Sequence, residues 1–292
     1  MDGIFCLDKP PEMTSFLCCA ILRRLLGEKK IGHGGTLDPM ATGVLPILAG
    51  RATRALDLLP VHDKRYTASL RFGWTSDTQD VWGQVQPTGR PLPSRAAVEE
   101  AAAAFRGAIR QVPPMTSAIK KDGVRLYELA RQGVEVEREA RPVTIYRLAL
   151  LGYDEQKGEL TLDCHCSKGT YIRTLCADLG EALGCGAVMT ALRRTMAAGY
   201  TLDQCLTLDD ARALAERGEL AGRVLPVDTA FSSLPSVTVT AAQAVRFGNG
   251  GALELERLRG TVPGRVRVYA PDGRFLGLGE PAGDSLRVLK LF

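Results

Sequence analysis

Two long stretches of β character, residues 143–153 and 159–167, flank a short polar turn containing Gly158, and together they predict a β-hairpin. Residues 65–72, RYTASLRF, add another strand. Tyr66, Ala68, Leu70 and Phe72 recur at every second position, the period of a strand with one buried face. Helical patterns lie between these runs. Thr14 and Ser15 precede an apolar run over 16–26 that is closed by Gly27. Ser94 caps a helix reaching Phe105, and residues 126–132 form another, ended by Gly133. Ile172, Leu175, Cys176, Leu179 and Leu183 form one helical stripe with Thr170 as its cap. Thr207-x-x-Asp210 opens a further helix that stops near Gly218. Strands and helices mix without regular βαβ alternation. The predicted fold is therefore α+β, with a mixed, largely antiparallel sheet flanked by helices.

A chain of 292 residues is long enough for one large domain and a small one. The texture changes near Val224-Leu225-Pro226-Val227-Asp228. Beyond residue 234 the chain reads as short strands at 237–240, 265–269, 274–278 and 286–292, with Pro271-Asp272-Gly273 as a turn. The expected division is 1–231 for the main domain and 232–292 for a small C-terminal β-rich module. That module holds eight basic and five acidic residues, a mild bias toward a polyanion. Residues 106–147 are biased the same way, with nine Lys or Arg against five acids. A solvated helix face and a phosphate-tracking patch explain that run equally well.

Several classes are excluded. No apolar run approaches the length of a membrane span, and Asp2, Asp8 and Lys9 break the N-terminal stretch where a targeting segment would lie. A cytoplasmic protein with no membrane partner is expected. The eight cysteines are scattered without a C-x-x-C pair and read as reduced, buried thiols. Cys164-His165-Cys166 has the look of a metal cluster, but strand alternation puts His165 on the face opposite both thiols, so no metal is expected there.

Residues 30–47, KIGHGGTLDPMATGVLPI, set one carboxylate, Asp38, and one histidine, His33, among four glycines. Glycine lets the backbone approach a ligand closely. With no second carboxylate nearby, two-carboxylate glycoside hydrolysis does not fit, and no Ser or Cys nucleophile with a His base is evident locally. Asp38 before Pro39 reads equally as a helix N-cap followed by Pro at N1, and both readings stand at this point.

The GHGGTLDPMATGVLPI run resembles the signature of the bacterial tRNA pseudouridine-55 synthases. Four more motifs occur in that family's order. They are Gly3 to Pro10 (GIFCLDKP) with Thr14-Ser15; Asp63-Lys64-Arg65-Tyr66; Pro113-Pro114 with Ser117-Ala118-Ile119-Lys120 and Gly123-x-Arg125-x-Tyr127-Glu128; and Ser167 to Arg173 (SKGTYIR). The likeness covers residues 1 to about 230 and continues more weakly to Phe292. It implies a pseudouridine synthase-like main domain and a PUA-like RNA-binding module at the C-terminus. It implies an isomerase that converts uridine-55 of the tRNA T-loop to pseudouridine on a flipped-out base. The partner would be the T-arm stem-loop of tRNA, with no obligatory protein partner, and the protein a monomer. An isomerisation changes no redox state and adds no group, so no cofactor is required.

Residue by residue, the resemblance makes Asp38 the catalytic carboxylate and Arg173 its support, a guanidinium expected to lower the Asp38 pKa. It makes His33, Tyr66, Tyr171 and Leu192 substrate-binding positions, and Lys9, Lys120 and Arg125 possible RNA contacts or structural positions. Three residues depart from the family pattern. Glu12 stands where glycine is usual, Gly34 where threonine is usual, and Thr116 where tyrosine is usual. Gly34 is expected to loosen the loop holding His33 and Asp38. The alternatives are a guide-RNA-dependent synthase, which usually carries a larger terminal extension or basic tail, and a non-catalytic RNA-folding factor using the same surface.

Overall fold

The alternating run around Tyr66 lies in the middle of the main sheet. The computed structural model describes residues 1–117, 119–260 and 262–292; Ala118, part of the Pro-Pro motif, lies outside the described residues. The main sheet contains β1 (Gly3–Lys9), β2 (Ile31–His33), β3 (Thr42–Ala49), β4 (Lys64–Phe72), β5 (Gly107–Gln111), β6 (Arg141–Asp154), β7 (Glu159–Cys166), β8 (Ala187–Ala197) and β9 (Tyr200–Thr201). Its order is β1-β3-β8-β4-β7-β6-β5, with β2 also paired to β3 and β9 to β8. The hairpin expected at 143–167 is β6–β7.

All pairings in this sheet are antiparallel except β3 with β8, where Thr42 and Gly43 sit opposite Arg193 and Arg194. Gly43 makes that junction possible. Its φ is 102°, and a Cβ there would stand 2.1 Å from the Arg194 carbonyl oxygen. Any side chain would push the two strands apart.

One face of the sheet is covered by helices α1 (Ser15–Leu26), α2 (Arg95–Ala104), α4 (Ile172–Ala182) and α5 (Leu208–Glu216); α3 (Leu126–Arg131) lies after a two-strand hairpin, Lys120–Lys121 with Val124–Arg125. Tyr66, Ala68, Leu70 and Phe72 share a single buried cluster with Cys18 and Leu22 of α1, Val98 of α2, Leu175 and Cys176 of α4 and Leu214 of α5. The helix ends follow their cap residues. Thr14 Oγ1 accepts the Leu17 N–H at 3.1 Å, and Gly27 closes α1 with φ 63°. The α4 cap differs from expectation. Tyr171 occupies the cap position without a side-chain bond, because Thr170 turns its hydroxyl to the Ser167 carbonyl at 2.9 Å.

The C-terminal module is a five-stranded sheet of β10 (Ser236–Thr238), β11 (Leu253–Glu254), β12 (Val266–Tyr269), β13 (Phe275–Ala282) and β14 (Ser285–Leu291), ordered β10-β12-β13-β14-β11. It also contains a helix that strand alternation did not predict, α6 (Ala241–Gly248). Thr240 and Gln243 make a reciprocal capping box that starts it. Thus residues 237–240 are a shorter strand and a helix cap.

The module is not packed separately. Leu278 belongs to one buried cluster with Ile4, Cys6, Val44, Leu48 and Phe231 of the main domain. Phe275 and Phe292 stack at 5.7 Å and both flank Phe231. Tyr269 donates its hydroxyl to Asp228 at 2.7 Å. Among the described residues no helix is long and apolar enough to cross a membrane.

Candidate active site

Asp38 sits on a turn. The expected helix after Pro39 does not form; the Ala41 N–H closes a tight turn onto the Asp38 carbonyl at 3.0 Å, and the chain then enters β3. The N-cap reading is therefore corrected. The residues around Asp38 are held from three directions. Lys9, at the end of β1, is fully buried and donates to the carbonyls of Pro10, Pro39 and Ala41 at 2.8, 3.1 and 2.6 Å. Ser15, the first residue of α1, both accepts the Leu37 N–H at 2.9 Å and donates to the Leu37 carbonyl at 3.1 Å. Arg194 of β8 is fully buried and donates to the carbonyls of Gly35, Thr36 and Val44 at 3.0, 3.2 and 2.8 Å.

Gly34 is tied as well, its N–H to the Pro46 carbonyl at 2.8 Å, so the loosening expected of that glycine is opposed by its neighbours. Burial lowers the Lys9 pKa to about 8, yet three carbonyls still receive its ammonium. Lys9 thus has the structural role of its two candidate roles; a fully buried side chain does not reach an RNA backbone.

Asp38 lies in a cleft of about 1200 Å³ whose wall also includes His33, Thr116, Arg125 and Arg173. The Arg173 guanidinium approaches it, Nε to Oδ2 at 3.0 Å. Arg173 stands in the first turn of α4, where the helix dipole disfavours a cation. Asp38 on one side and buried Asp80 on the other, 3.5 Å from Nη1, oppose that cost. Nη1 also donates to Thr116 Oγ1 at 2.6 Å and the Thr78 carbonyl at 3.1 Å, and Nη2 donates to the Thr116 carbonyl at 3.1 Å. The departure at Thr116 therefore bears directly on the arginine.

The expected downward shift of the Asp38 pKa is corrected. Its side chain keeps 36% of its surface open, but the protein crowds it. Burial pushes the carboxyl upward more than the Arg173 charge holds it down, and Asp80 adds to the rise.

His33 ends β2 on the cleft wall. Its Nδ1 is buried without a protein partner. Burial and the Arg194 charge lower its pKa, which favours the neutral ring. Tyr66 and Leu192 are only 6% and 7% exposed and belong to the core, not to the open wall of the cleft. Burial pushes the Tyr66 phenol up to about 12, while Arg194 acts in the opposite direction. The Tyr171 backbone is engaged by Gln111, whose side chain accepts its N–H at 3.0 Å and donates to its carbonyl at 3.3 Å. That leaves the Tyr171 ring, not its N–H, for a ligand.

Lys120 and Arg125 are exposed and paired across the small hairpin. Arg125 and Arg131 lie over the ring of Tyr127, at 5.8 and 5.4 Å from its centre. Cys164 and Cys166 face the core, whereas His165 faces Asp63 at 3.6 Å, as alternation requires. Sequence reasoning did not find Asp80, Arg194, Ser15 or Gln111. A T-x-D turn and an Arg-Arg pair look like surface features until the fold buries them.

Residues 23–172 match the family described as TruB family pseudouridylate synthase, N-terminal domain. Residues 173–232 match the tRNA pseudouridylate synthase B C-terminal domain, and 234–292 the C-terminal domain of tRNA pseudouridine synthase II. The tRNA pseudouridine synthase B of Dechloromonas aromatica is 46% identical over 287 residues, covering 98% of this chain and 93% of the relative. The chain belongs to the TruB family of pseudouridylate synthases.

The protein of that name from Actinobacillus pleuropneumoniae is 44% identical, covering 98% of this chain and 94% of the relative. Among solved structures, a Cbf5-Nop10-Gar1 complex aligns with a TM-score of 0.75 and 26% identity, over 99% of this chain and 84% of that one. Membership in the TruB family makes this chain an enzyme, an isomerase that forms pseudouridine, with the fold of pseudouridine synthases and a β-rich C-terminal module. Within that fold, Asp38 and Arg173 are in ion-pair contact. Glu12 holds a left-handed backbone, with φ 61°.

Proposed function

We propose that this TruB-family enzyme isomerises uridine-55 in the T-loop of tRNA, with Asp38 as the catalytic carboxylate acting on a flipped-out base. The observation that carries the reading is the Asp38–Arg173 ion pair at 3.0 Å, set in an open cleft on a turn pinned by Lys9, Ser15 and Arg194. The names of relatives 42–46% identical, all tRNA pseudouridine synthase B, support tRNA as the substrate. The T-loop preference rests on the motif resemblance.

In the reaction the N1–C1′ bond breaks, the uracil turns, C5 bonds to C1′, the C5 proton leaves, and N1 takes up a proton. Atoms and electrons balance without a co-reactant. Flipping the nucleotide costs a few kcal/mol of stacking, which contacts to RNA must offset. Asp38 supplies the carboxylate, and Arg173 orients it and favours its ionised form. Neutral His33 faces the bases of the loop. Tyr66, Tyr171 and Leu192 shape the surroundings of the extruded uracil. Arg125 and Lys120 meet the RNA backbone, and the C-terminal module extends the grip on tRNA. The protein acts as a monomer without an obligatory protein partner.

The test is release of tritium from a T-arm stem-loop labelled at uracil C5, with wild-type protein and Asp38→Asn. The wild type releases tritium, and the variant binds the RNA within a few fold but is inactive. Residual turnover above a few per cent in Asp38→Asn would remove Asp38 from the catalytic role.

A further inference from the structure

Most large aromatic side chains of this chain are buried or packed on a neighbour. Two at the cleft are not. Phe16 is 71% exposed and Trp82 56% exposed, and both lie on the wall of the cleft that contains Asp38. Neither takes part in an aromatic pair or lies beneath a cation among the described residues. Isolated exposed apolar residues are ordinary. Two large aromatics on the wall of one cleft call for an occupant.

The backbone of each residue is tied close to Asp38. Trp82 donates its backbone N–H to Asp80 Oδ1 at 3.0 Å, and Asp80 flanks Arg173. The adjacent Val81 N–H is bonded to the Met189 carbonyl at 3.0 Å. Phe16 follows Ser15, whose hydroxyl is bonded in both directions to Leu37, next to Asp38. The same wall carries Arg125 and Arg131, the cations that stack on Tyr127. Flat apolar faces beside fixed positive charge suit unstacked nucleobases on a phosphate chain.

We infer that Phe16 and Trp82 form an aromatic platform for the unpaired nucleotides on either side of the extruded base. Removing one base from a loop strips its neighbours of stacking on that side. The platform supplies the replacement surface, and so lowers the cost of extrusion. This inference rests on the RNA-isomerase reading above and adds a subsite to it. Phe16 and Trp82 are binding residues here, with no part in bond making.

The experiment uses the full chain with Trp74→Phe, which leaves Trp82 as the sole tryptophan. Its emission is followed during titration with a T-arm stem-loop, and with loops abasic at the nucleotides flanking the target uridine. Tritium release is measured on the same samples. Quenching by the intact loop and little quenching by the abasic loops is expected. Trp82→Ala and Phe16→Ala should each raise KM by about five- to 150-fold, the range of one lost base–aromatic stack, in excess of any change in kcat. Trp82→Phe should keep most of the affinity, because a stacking face remains.

Unchanged Trp82 emission on RNA that is bound and converted would overturn the platform. So would KM values unaltered in both alanine variants. Absence of tritium release by the wild-type enzyme would instead overturn the functional reading.

Discussion

Arg173 meets Asp38 through Nε at 3.0 Å, while its two terminal nitrogens bond to Thr116 and Thr78 and Nη1 lies 3.5 Å from Asp80. The arginine is thus anchored at its far end and presents one edge to the Asp38 carboxylate. A lysine has a single ammonium and does not span those partners. Arg173→Lys should therefore lose nearly as much single-turnover rate as Arg173→Ala. Recovery of most of the rate by lysine would mean that charge alone matters and the anchored fork does not.

The raised pKa of Asp38 acts on activity and stability with opposite signs. With Asp38 in the proposed catalytic role the rate follows its carboxylate form, so the acid limb of the rate profile should lie above the ordinary aspartate value of about 4. For stability, a pKa raised on folding contributes fully below the unfolded value, and the contribution is lost as pH rises through the folded value. Asp38→Asn removes that loss, while Asp80 still pairs with Arg173. The variant should melt at an equal or higher temperature than wild type at pH 7, and the margin should vanish by pH 4. Calorimetry at the two pH values checks this; a less stable variant at pH 7 would contradict the upward shift.

Asp80 lies 3.5 Å from the Arg173 guanidinium, placed to position it. Its other oxygen accepts from Thr78 Oγ1 at 2.7 Å and from the Trp82 N–H, so it is fixed before it reaches Arg173. Asp80→Asn should lower kcat by about 10- to 100-fold, the scale of one charged hydrogen-bond partner. Because the Asp80 charge raises the Asp38 pKa, the acid limb should move to lower pH in this variant. A rate loss with an unmoved limb would indicate a structural defect only.

Glu12 holds a left-handed backbone at φ 61°, a conformation that favours glycine. An L-residue there is disfavoured by roughly 1–2 kcal/mol, and the extra chain entropy of glycine offsets part of the gain on replacement. Glu12→Gly should stabilise the fold by about 0.5–1 kcal/mol. Urea titration reads this as a higher midpoint with an unchanged slope.

Removal of the C-terminal module should cost more than RNA contacts. Phe231 packs on Phe275 and Phe292, and Leu278 sits in the cluster built around Ile4 and Val44. Cutting after Ser233 strips those partners from the main domain and should lower its melting temperature. It should also weaken tRNA binding and flatten its salt dependence. A truncate as heat-stable as the full chain would show that the shared cluster contributes little.

The sequence by itself determined the local elements. The alternation of Tyr66, Ala68, Leu70 and Phe72, the Thr14 cap with Gly27, and the 143–167 hairpin all appear as read, since each depends on residues a few positions apart. The motif residues of the cleft were legible too, because Asp38 and Arg173 lie in short, distinctive runs. Helix α6 has a local cap signature, Thr240 with Gln243, but strand alternation over 237–240 takes Thr240 as a strand end and leaves the helix unpredicted.

Only the tertiary structure decided what surrounds the carboxylate. Arg194 is 158 positions from Thr36, and Arg173 is 95 from Thr78. No local pattern distinguishes an arginine that will be buried against distant carbonyls from one that will face water. The balance on Asp38 is of the same kind. Neighbouring charge was foreseen, but burial, which outweighs it, exists only once β1, α1, α4 and β8 have closed around the loop.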